Sequence, residues 1–360
     1  HTDKPLLNAG NHDPESALRL IESGEADFAS LGRPLIADPD LPKKLMKGLR
    51  KEVRPCIRCN EFCIGRIWNN HTKLGCAVNT EAMEEVRFHL EKTDDPKNVV
   101  IVGAGPAGLE AARVAALEGH HVSIYDKGSR LGGTMRTIAT AKFKTKIKEL
   151  ADYFEYQLDK LGVDVHLNTT VTGEEEFLEK ADVIFVGTGT VPVTPNIPGI
   201  DNSKVIDIMA AHSDESLIKG DNIVVCGGGL SGCDAALELA SEKGKKVTII
   251  EMTEECAKDA MFINKITLFN QLAKNNVTLM TNTKVVSIDE DGVHVETSKG
   301  EKIVEADTII SAFGMKPLTD IADIIDSKYH NKTRKIGDLY KIGKIGNAIR
   351  EGYYAGSSID

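Results

Sequence analysis

Two glycine-rich turns of the same design, about 124 residues apart, constrain this chain more than any other feature. The first is Gly103-Ala104-Gly105-Pro106-Ala107-Gly108. It follows the apolar run Val99 to Val102 and opens a helical stretch, Gly108 to Leu117. The second, Gly227-Gly228-Gly229-Leu230-Ser231-Gly232, lies between the run IVVC and a helical stretch from Asp234 to Glu242. In such a strand–turn–helix unit the first glycine permits the tight turn. The second lets backbone approach a pyrophosphate, and the third lets helix and strand pack closely. The helix N-terminus adds unpaired N–H groups and a partial positive charge. The chain is therefore expected to be α/β, with two Rossmann-like dinucleotide-binding units.

Each unit also carries an acid at the end of its next strand. Asp126 closes the run from Val122, and Glu251 closes VTIIE; such an acid can accept from a ribose hydroxyl. Glu251 would repel a 2′-phosphate, and Met252-Thr253 after it bring no arginine, which favours NADH over NADPH. A lone G-x-G-x-x-G is a weak signal. Its place between strand and helix, with an acid following, gives it weight. The bland alternatives are a glycine-rich turn in an empty α/β domain and, for the second unit, a vestigial fold that binds nothing. Arg130-Leu131-Gly132-Gly133 offers two glycines where backbone can approach a second phosphate or a flavin edge. Ile336-Gly337-Asp338 places a carboxylate before a final helix, suited to a ribityl hydroxyl. Each alone reads as an ordinary turn; together and in this order they carry more.

Four cysteines precede the first turn. Cys56, Cys59, Cys63 and Cys76 follow the spacing C-x2-C-x3-C-x12-C. Four thiolates suit either an iron–sulfur cluster or a tetrahedral zinc. Zinc sites more often use two C-x2-C knuckles, so three bunched cysteines and a remote fourth favour a [4Fe–4S] cluster. Trp68, inside this loop, is expected to pack over the cluster. Cys226 and Cys233 form no C-x-x-C pair and are expected as core residues, not as a redox disulfide. Seven cysteines, four of them clustered, point to a reducing compartment rather than a disulfide framework. Lys+Arg of 44 against Asp+Glu of 54 leaves a net charge of −10, which argues against a nucleic-acid partner. No apolar run approaches a membrane span.

The flanking segments read less sharply. Residues 5 to 10 are expected as a short buried strand. Asp13 then caps a helix with Pro14 first and Ala17, Leu18 and Ile21 on its apolar face. Ala26 to Leu31 reads as a second strand ending at Gly32-Arg33, and Asp40 as the cap of a helix through Leu49. This looks like the closing part of a (β/α) barrel, where strand-end loops and a following helix N-terminus hold a phosphate. A small α/β cap unrelated to barrels is the alternative. Residues 81 to 96 read as a linker helix, and Phe143 to Leu161 as an amphipathic helix. The chain opens at His1 in what reads as the middle of a domain and is expected to be a fragment of a longer protein.

The order of motifs resembles one family throughout. Gly32-Arg33-Pro34-Leu35-Ile36-Ala37-Asp38-Pro39, the cysteine run, GAGPAGLEAA, LGG, GTGT, GGGLSGCD and the terminal IGD are similar to the old-yellow-enzyme-like flavin/iron–sulfur reductases. These comprise 2,4-dienoyl-CoA reductase, enoate reductase, bile-acid enone reductases and the related trimethylamine dehydrogenase. The resemblance implies the tail of an FMN-binding (β/α)8 barrel over 1–50 and a [4Fe–4S] segment over 51–80. It further implies a glutathione-reductase-type FAD domain over 97–205 and 310–360, and an NAD(H) domain over 206–309. Carried over by position, Cys56, Cys59, Cys63 and Cys76 would ligate the cluster. Gly103, Gly105, Pro106, Ala107, Gly108, Asp126, Gly132, Gly133, Gly337 and Asp338 would contact FAD. Gly227, Gly229, Gly232 and Glu251 would contact NADH. Gly32 and Arg33 would hold the FMN phosphate, with help from Gly10 and Asn11.

Most of the barrel is absent from this sequence, so no catalytic proton donor can be named. The resemblance implies electron flow from NADH through FAD and the cluster to FMN, which reduces an activated C=C bond of a small enone or enoate. It also implies a cytoplasmic, anaerobic bacterial setting, and allows a homo-oligomer. Three other readings remain open at this stage: a stand-alone electron-transfer subunit feeding a partner, a trimethylamine-dehydrogenase-like enzyme, and a zinc-stabilised nucleotide-binding module.

Overall fold

The computed structural model describes residues 3–359. The chain divides into two compact units. One comprises His1–Met135, Lys146–Thr188 and Asp320–Asp360; the other comprises Arg136–Thr145 and Gly189–Thr319.

The central strand of the first unit, Asn98–Val102, is buried at every position after Asn98. A strand apolar on both faces needs parallel neighbours and a covering layer on each side. It finds them in a five-stranded parallel sheet ordered Thr333–Lys335, Val183–Val186, Asn98–Val102, His121–Tyr125, Asp164–His166. Val99 pairs with both Val122 and Val183. Ile101, Leu109, Leu150, Phe154, Phe185 and Ile349 interlock in its main core. The expected helix from Phe143 begins at Thr145, after one 3-10 turn over Lys142–Lys144, and buries Leu150, Ala151, Tyr153, Phe154 and Leu158.

The second unit repeats the plan. Its central strand Asn222–Cys226 has the same burial, within a parallel sheet ordered Thr278–Met280, Lys246–Ile250, Asn222–Cys226, Thr308–Ser311, Val205–Asp207. Lys284–Ile288, Gly292–Thr297 and Gly300–Glu305 form a separate three-stranded antiparallel sheet.

The N-terminal strands exist but are not buried. Leu7–Ala9 pairs in parallel with Phe28–Ser30 as an isolated two-stranded sheet. Leu7 is 60% and Phe28 57% exposed. Of the expected apolar face of helix Pro14–Glu22, only Ala17 is buried, while Leu18 and Ile21 face solvent. Asp13 does cap this helix: its carboxylate accepts from Ser16 N at 2.8 Å, and Ser16 Oγ accepts from Asp13 N at 2.9 Å. The carboxylate also pairs with Arg58 and Lys146, each at 3.0 Å. Burial opposes its charge, but the Ser16 N–H and Lys146 outweigh that and hold the carboxyl below the usual range. Asp13→Ala is expected to cost about 1–2 kcal/mol at neutral pH, measured by urea unfolding. A depressed folded pKa stabilises above the unfolded value, so the gap between wild type and variant should shrink as pH falls below about 4.

The helix expected from Asp40 to Leu49 spans only Leu41–Met46, and the Asp40 carboxylate accepts from Lys43 Nζ instead of capping. No helix forms over residues 81 to 96. Met83 takes a left-handed φ of 65°, which ends helical propagation. The chain instead makes successive turns, with Glu84 N donating to Glu81 O at 2.7 Å and Arg87 N to Glu84 O at 2.8 Å.

A buried ionic cluster holds the cysteine segment to the helix after the first glycine turn, Pro106–Leu117. Glu110 on that helix is fully buried. It accepts two hydrogen bonds from Arg113, at 2.7 and 2.8 Å, and lies 3.8 Å from Arg54. Arg54 in turn donates to Val78 O at 2.6 Å and to the Tyr153 hydroxyl at 3.3 Å, and its backbone N donates to buried Asp38 at 2.8 Å.

Candidate functional site

The two glycine turns have the same atomic plan. Gly103 N donates to Tyr125 O at 2.8 Å, and Gly227 N to Ile250 O at 2.9 Å, so each turn leaves the sheet at the same point. A Cβ on Gly103 would stand 2.3 Å from Gly187 O, and one on Gly227 2.2 Å from Ala312 O. A Cβ on Gly108 would lie 2.0 Å from Gly103 O, and one on Gly232 2.1 Å from Gly227 O. Only glycine fits at these first and third positions. At the middle positions, Gly105 and Gly229, nothing lies within 4 Å of the same point. Each turn thus keeps open space over its middle glycine, at the N-terminus of helix Pro106–Leu117 or Leu230–Lys243. That is where a pyrophosphate needs backbone to approach.

The acids close the turns in matching fashion. Asp126 Oδ2 accepts from Ala104 N, and Oδ1 from Gly128 N, both at 2.6 Å. Glu251 Oε2 accepts from Gly228 N at 2.7 Å, and Oε1 from Thr253 N and Oγ1, both at 2.9 Å. Each carboxylate is fixed against the second residue of its turn and retains lone pairs for a ribose hydroxyl. Pro106 and Ala107 begin the first helix. Gly132 N donates to Ala104 O at 3.0 Å, and Gly133 lies against Gly105, so the LGG segment stands at the same turn. Asp338, within a one-turn 3-10 helix after Gly337, accepts from Gly343 N at 3.0 Å, and burial pushes its carboxyl upward.

The four clustered cysteines line one cavity of about 20 Å³ with Arg33, Ile36, Ile57, Asn60, Phe62, Ala77 and Val78. Burial pushes the Cys59 thiol up to about 12 and that of Cys76 to about 11, so either one, left free, stays protonated at neutral pH. Among the described residues, no three His, Cys, Asp or Glu side chains converge closely enough to hold a single metal ion. Arg33 belongs to this lining and donates through Nη1 to Asn60 Oδ1 at 2.5 Å. Gly32 precedes it with open space around it, while Gly10 and Asn11 lie beside the two-stranded sheet, Asn11 O accepting from Arg58 at 3.4 Å. Trp68 is not part of the lining. It is 56% exposed on helix Ile64–Asn70, turned away by the register of that helix.

Two features were missed from the sequence. Glu351, on the final helix Ile345–Gly356, accepts from Gly337 N and lies close enough to Asp338 for the two charges to interact, while its Oε2 is buried without a hydrogen-bond partner. Burial pushes this carboxyl upward too. Its spacing from Gly337 follows no motif, so only the fold reveals it. The other is a pair of thiols at one glycine: Cys233 Sγ donates to Gly228 O at 3.4 Å, and Cys256 Sγ lies 2.6 Å from where a Cβ on Gly228 would be.

Residues 97–337, which carry both glycine turns and their acids, match the pyridine nucleotide-disulphide oxidoreductase family, with a second match over 74–178. The chain belongs to this family. This oxidoreductase is 36% identical over 359 residues to "NADH oxidase" of Thermoanaerobacter brockii, covering 97% of this chain and 54% of the relative. It is 34% identical over 361 residues to "Cinnamate reductase" of Clostridium sporogenes, covering 99% of this chain and 53% of the relative. Its fold superposes on the solved 2-naphthoyl-CoA reductase with a TM-score of 0.93 at 32% identity, over 99% of this chain and 54% of that one. These relatives belong to the enoate/dienoyl-CoA reductase group that the order of motifs resembles. The oxidoreductase spans about half the length of the curated relatives it matches. No helix among the described residues is long and apolar enough to cross a membrane.

Proposed function

We propose that this oxidoreductase is the electron-input half of an NADH-dependent reductase of activated C=C bonds. The observation that carries the reading is the repeated turn, with an open middle glycine and an acid hydrogen-bonded back onto the backbone in both units. One such turn suits one dinucleotide; two suit a donor and an acceptor. The first unit is assigned FAD, within 97–205 and 310–360, and the second NADH, within 206–309. The helix N-termini at Gly105 and Gly229 would hold the pyrophosphates, Asp126 and Glu251 the adenosine riboses. Gly132, Gly133, Gly337 and Asp338 would line the flavin side. Cys56, Cys59, Cys63 and Cys76 are assigned to a [4Fe–4S] cluster. Four sulfurs around one cavity, three of them bunched in sequence and the fourth remote, suit a cluster.

When bound, FAD supplies two-electron exchange with NADH, and the cluster supplies single-electron transfer toward FMN in the full-length protein. The chain's own residues bind and orient. The fixed carboxylates select free ribose hydroxyls, and Glu251 disfavours a 2′-phosphate. The Arg54–Glu110–Arg113 cluster holds the cysteine segment in register with the first turn. Gly32 and Arg33, with Gly10 and Asn11, are assigned to the FMN phosphate. Relatives named for reducing cinnamate and 2-naphthoyl-CoA support a small enone- or enoate-type substrate for the whole protein.

The test is an anaerobic visible spectrum of the reconstituted chain, with iron, sulfide and flavin content, before and after NADH. Flavin bleaching together with an iron–sulfur signal is expected. Zinc without flavin would overturn the reading. Cys76→Ser should lose iron and sulfide yet keep flavin. Gly229→Val should keep both and need at least about tenfold more NADH to bleach, since the added side chain fills the space left for the pyrophosphate. NADH should reduce artificial acceptors but no enone. Stoichiometric enone turnover by this chain alone would show that it is more than the input half.

A further inference from the structure

The cysteine cavity and the flavin-side acid Asp338 meet at the start of one helix. Phe62 and Ala77 line the cavity with the four cysteines. Both press on Gly346, the second residue of the final helix, Ile345–Gly356. A Cβ on Gly346 would stand 2.8 Å from Ala77 Cβ, 3.0 Å from Ala77 Cα and 3.1 Å from Phe62 Cε2. No side chain fits there without moving the cavity wall. Gly75 N donates to Phe62 O at 2.8 Å, so the stretches carrying Cys63 and Cys76 meet the helix as one wall. An ion pair closes the same junction. Lys344, at the helix N-cap, donates through Nζ to Glu61 Oε1 at 2.8 Å.

The other side of the junction leads to the first glycine turn. Asp338 accepts from Gly343 N at 3.0 Å, one residue before Lys344. Gly337 stands against Ala107: a Cβ on it would lie 2.8 Å from Ala107 Cβ. A Cβ on Gly352 would lie 2.1 Å from Ala107 O, so the final helix runs across the first turn of helix Pro106–Leu117. Cys76 and Ile345 pack against the core that contains Ala107 and Ile349. All of these residues lie in the first unit. The short stretch from Asp338 to Gly346 therefore touches the flavin side at one end and the cavity wall at the other.

We propose that electrons leave the first unit through the contact of Gly346 with Ala77 and Phe62, and that the Lys344–Glu61 pair holds this contact closed. The inference rests on assigning FAD to the first turn and a cluster to the cysteine cavity. Reduced FAD gives up two electrons and two protons. The electrons cross one at a time, each reducing the cluster by one, and the protons go to water. A one-electron acceptor, FMN in the full-length protein, empties the cluster between crossings. Gly346, Ala77, Lys344 and Glu61 are positioning residues. They set the distance that an electron crosses, not the potentials at its two ends.

Glycine is the residue this role needs. Electron tunnelling falls steeply with separation, so the closest approach of helix backbone to cavity wall decides the rate. The Lys344–Glu61 pair is partly buried, at 35% and 22% exposure, and is screened less by salt than a surface pair. A second link between the cysteine segment and this unit runs from Val78 O through Arg54 to Glu110. It crosses a 3.8 Å gap and enters helix Pro106–Leu117 beyond its first turn, whereas the contact at Gly346 is direct.

The experiment uses the full chain, reconstituted anaerobically with FAD, iron and sulfide. A light flash with deazaflavin places one electron on the bound flavin, and visible absorbance follows its passage to the cluster with no NADH present. Gly346→Ala should keep flavin, iron and both midpoint potentials, while the passage slows at least about threefold because the added methyl pushes the wall outward. The swap Gly346→Ala with Ala77→Gly removes the methyl that would be struck, and should recover most of the rate. Lys344→Met should slow the passage to a similar degree without altering the packing at Gly346, and it decides alone if Gly346→Ala sheds iron. A wild-type rate in either variant that retains flavin and iron overturns the proposal. So does a slower rate that comes with a shifted midpoint potential, which places the fault at the cluster and not in the route. A wild-type chain that takes up no flavin or no iron overturns the FAD and cluster assignments themselves, and the route falls with them.

Discussion

Glu110→Ala is expected to destabilise the first unit by about 3–5 kcal/mol, read as a fall in the urea midpoint with little change in slope. Glu110 has no exposed surface, and its two oxygens take both hydrogen bonds of a fork from Arg113. Arg54 lies 3.8 Å away on its other side. Alanine would leave two buried guanidinium groups facing each other with no carboxylate between them, and both are far from water that could solvate them. Glu110→Gln is expected to cost nearly as much, because its amide presents N–H to groups that are themselves only donors. An exposed pair gives the contrast. Lys180 and Glu176 are largely solvated, and removing either should leave the urea midpoint unchanged. On the proposed cluster assignment, the Glu110 variants should also lose iron more readily, since Arg54 holds Val78 O, two residues past Cys76.

Gly108→Ala is expected to remove about 3 kcal/mol or more, at the upper end of what overpacking costs. The added methyl would meet Gly103 O at 2.0 Å and Ile101 Cγ2 at 3.2 Å, and the first of these is backbone that cannot turn aside. Gly105→Ala, three residues away, meets nothing within 4 Å. Its unfolding midpoint should match wild type, while flavin retention falls at least about tenfold because the methyl occupies the phosphate approach. Thermal unfolding by circular dichroism and flavin content after gel filtration distinguish the two. Equal destabilisation by both would mean that the middle glycine is structural and that the open space over Gly105 has no ligand role.

What could be read from the sequence was what local spacing determines. The strand, turn, helix and acid of each unit lie within about 25 residues of one another, and the fold put Asp126 and Glu251 where that spacing implied. The cysteines were likewise legible as a set, and they line one cavity. Features set by distant partners were not legible. The helix expected over 81 to 96 is undone at Met83 by a left-handed residue whose sequence carries no glycine to announce it. The strands at Leu7–Ala9 and Phe28–Ser30 look core-like because an apolar run does not say whether anything covers it. Trp68 faces solvent because one helical register places it there, and Cys233 meets Gly228 O through a contact that no C-x-x-C spacing announces. Glu351 and the Arg54–Glu110–Arg113 cluster depend on contacts that no periodicity encodes.

The carboxylates of Asp126 and Glu251 carry a thermodynamic consequence. A glutamate side chain gives up as much as about 2 kcal/mol of rotamer entropy when it is immobilised. In this chain that loss is met on folding, because backbone N–H groups hold both oxygens of each acid. A dinucleotide arriving at either turn meets a receptor already ordered, and little of its affinity is spent on freezing side chains. Association should therefore proceed in a single fast phase at rates set by diffusion and orientation, with no slow isomerisation after encounter.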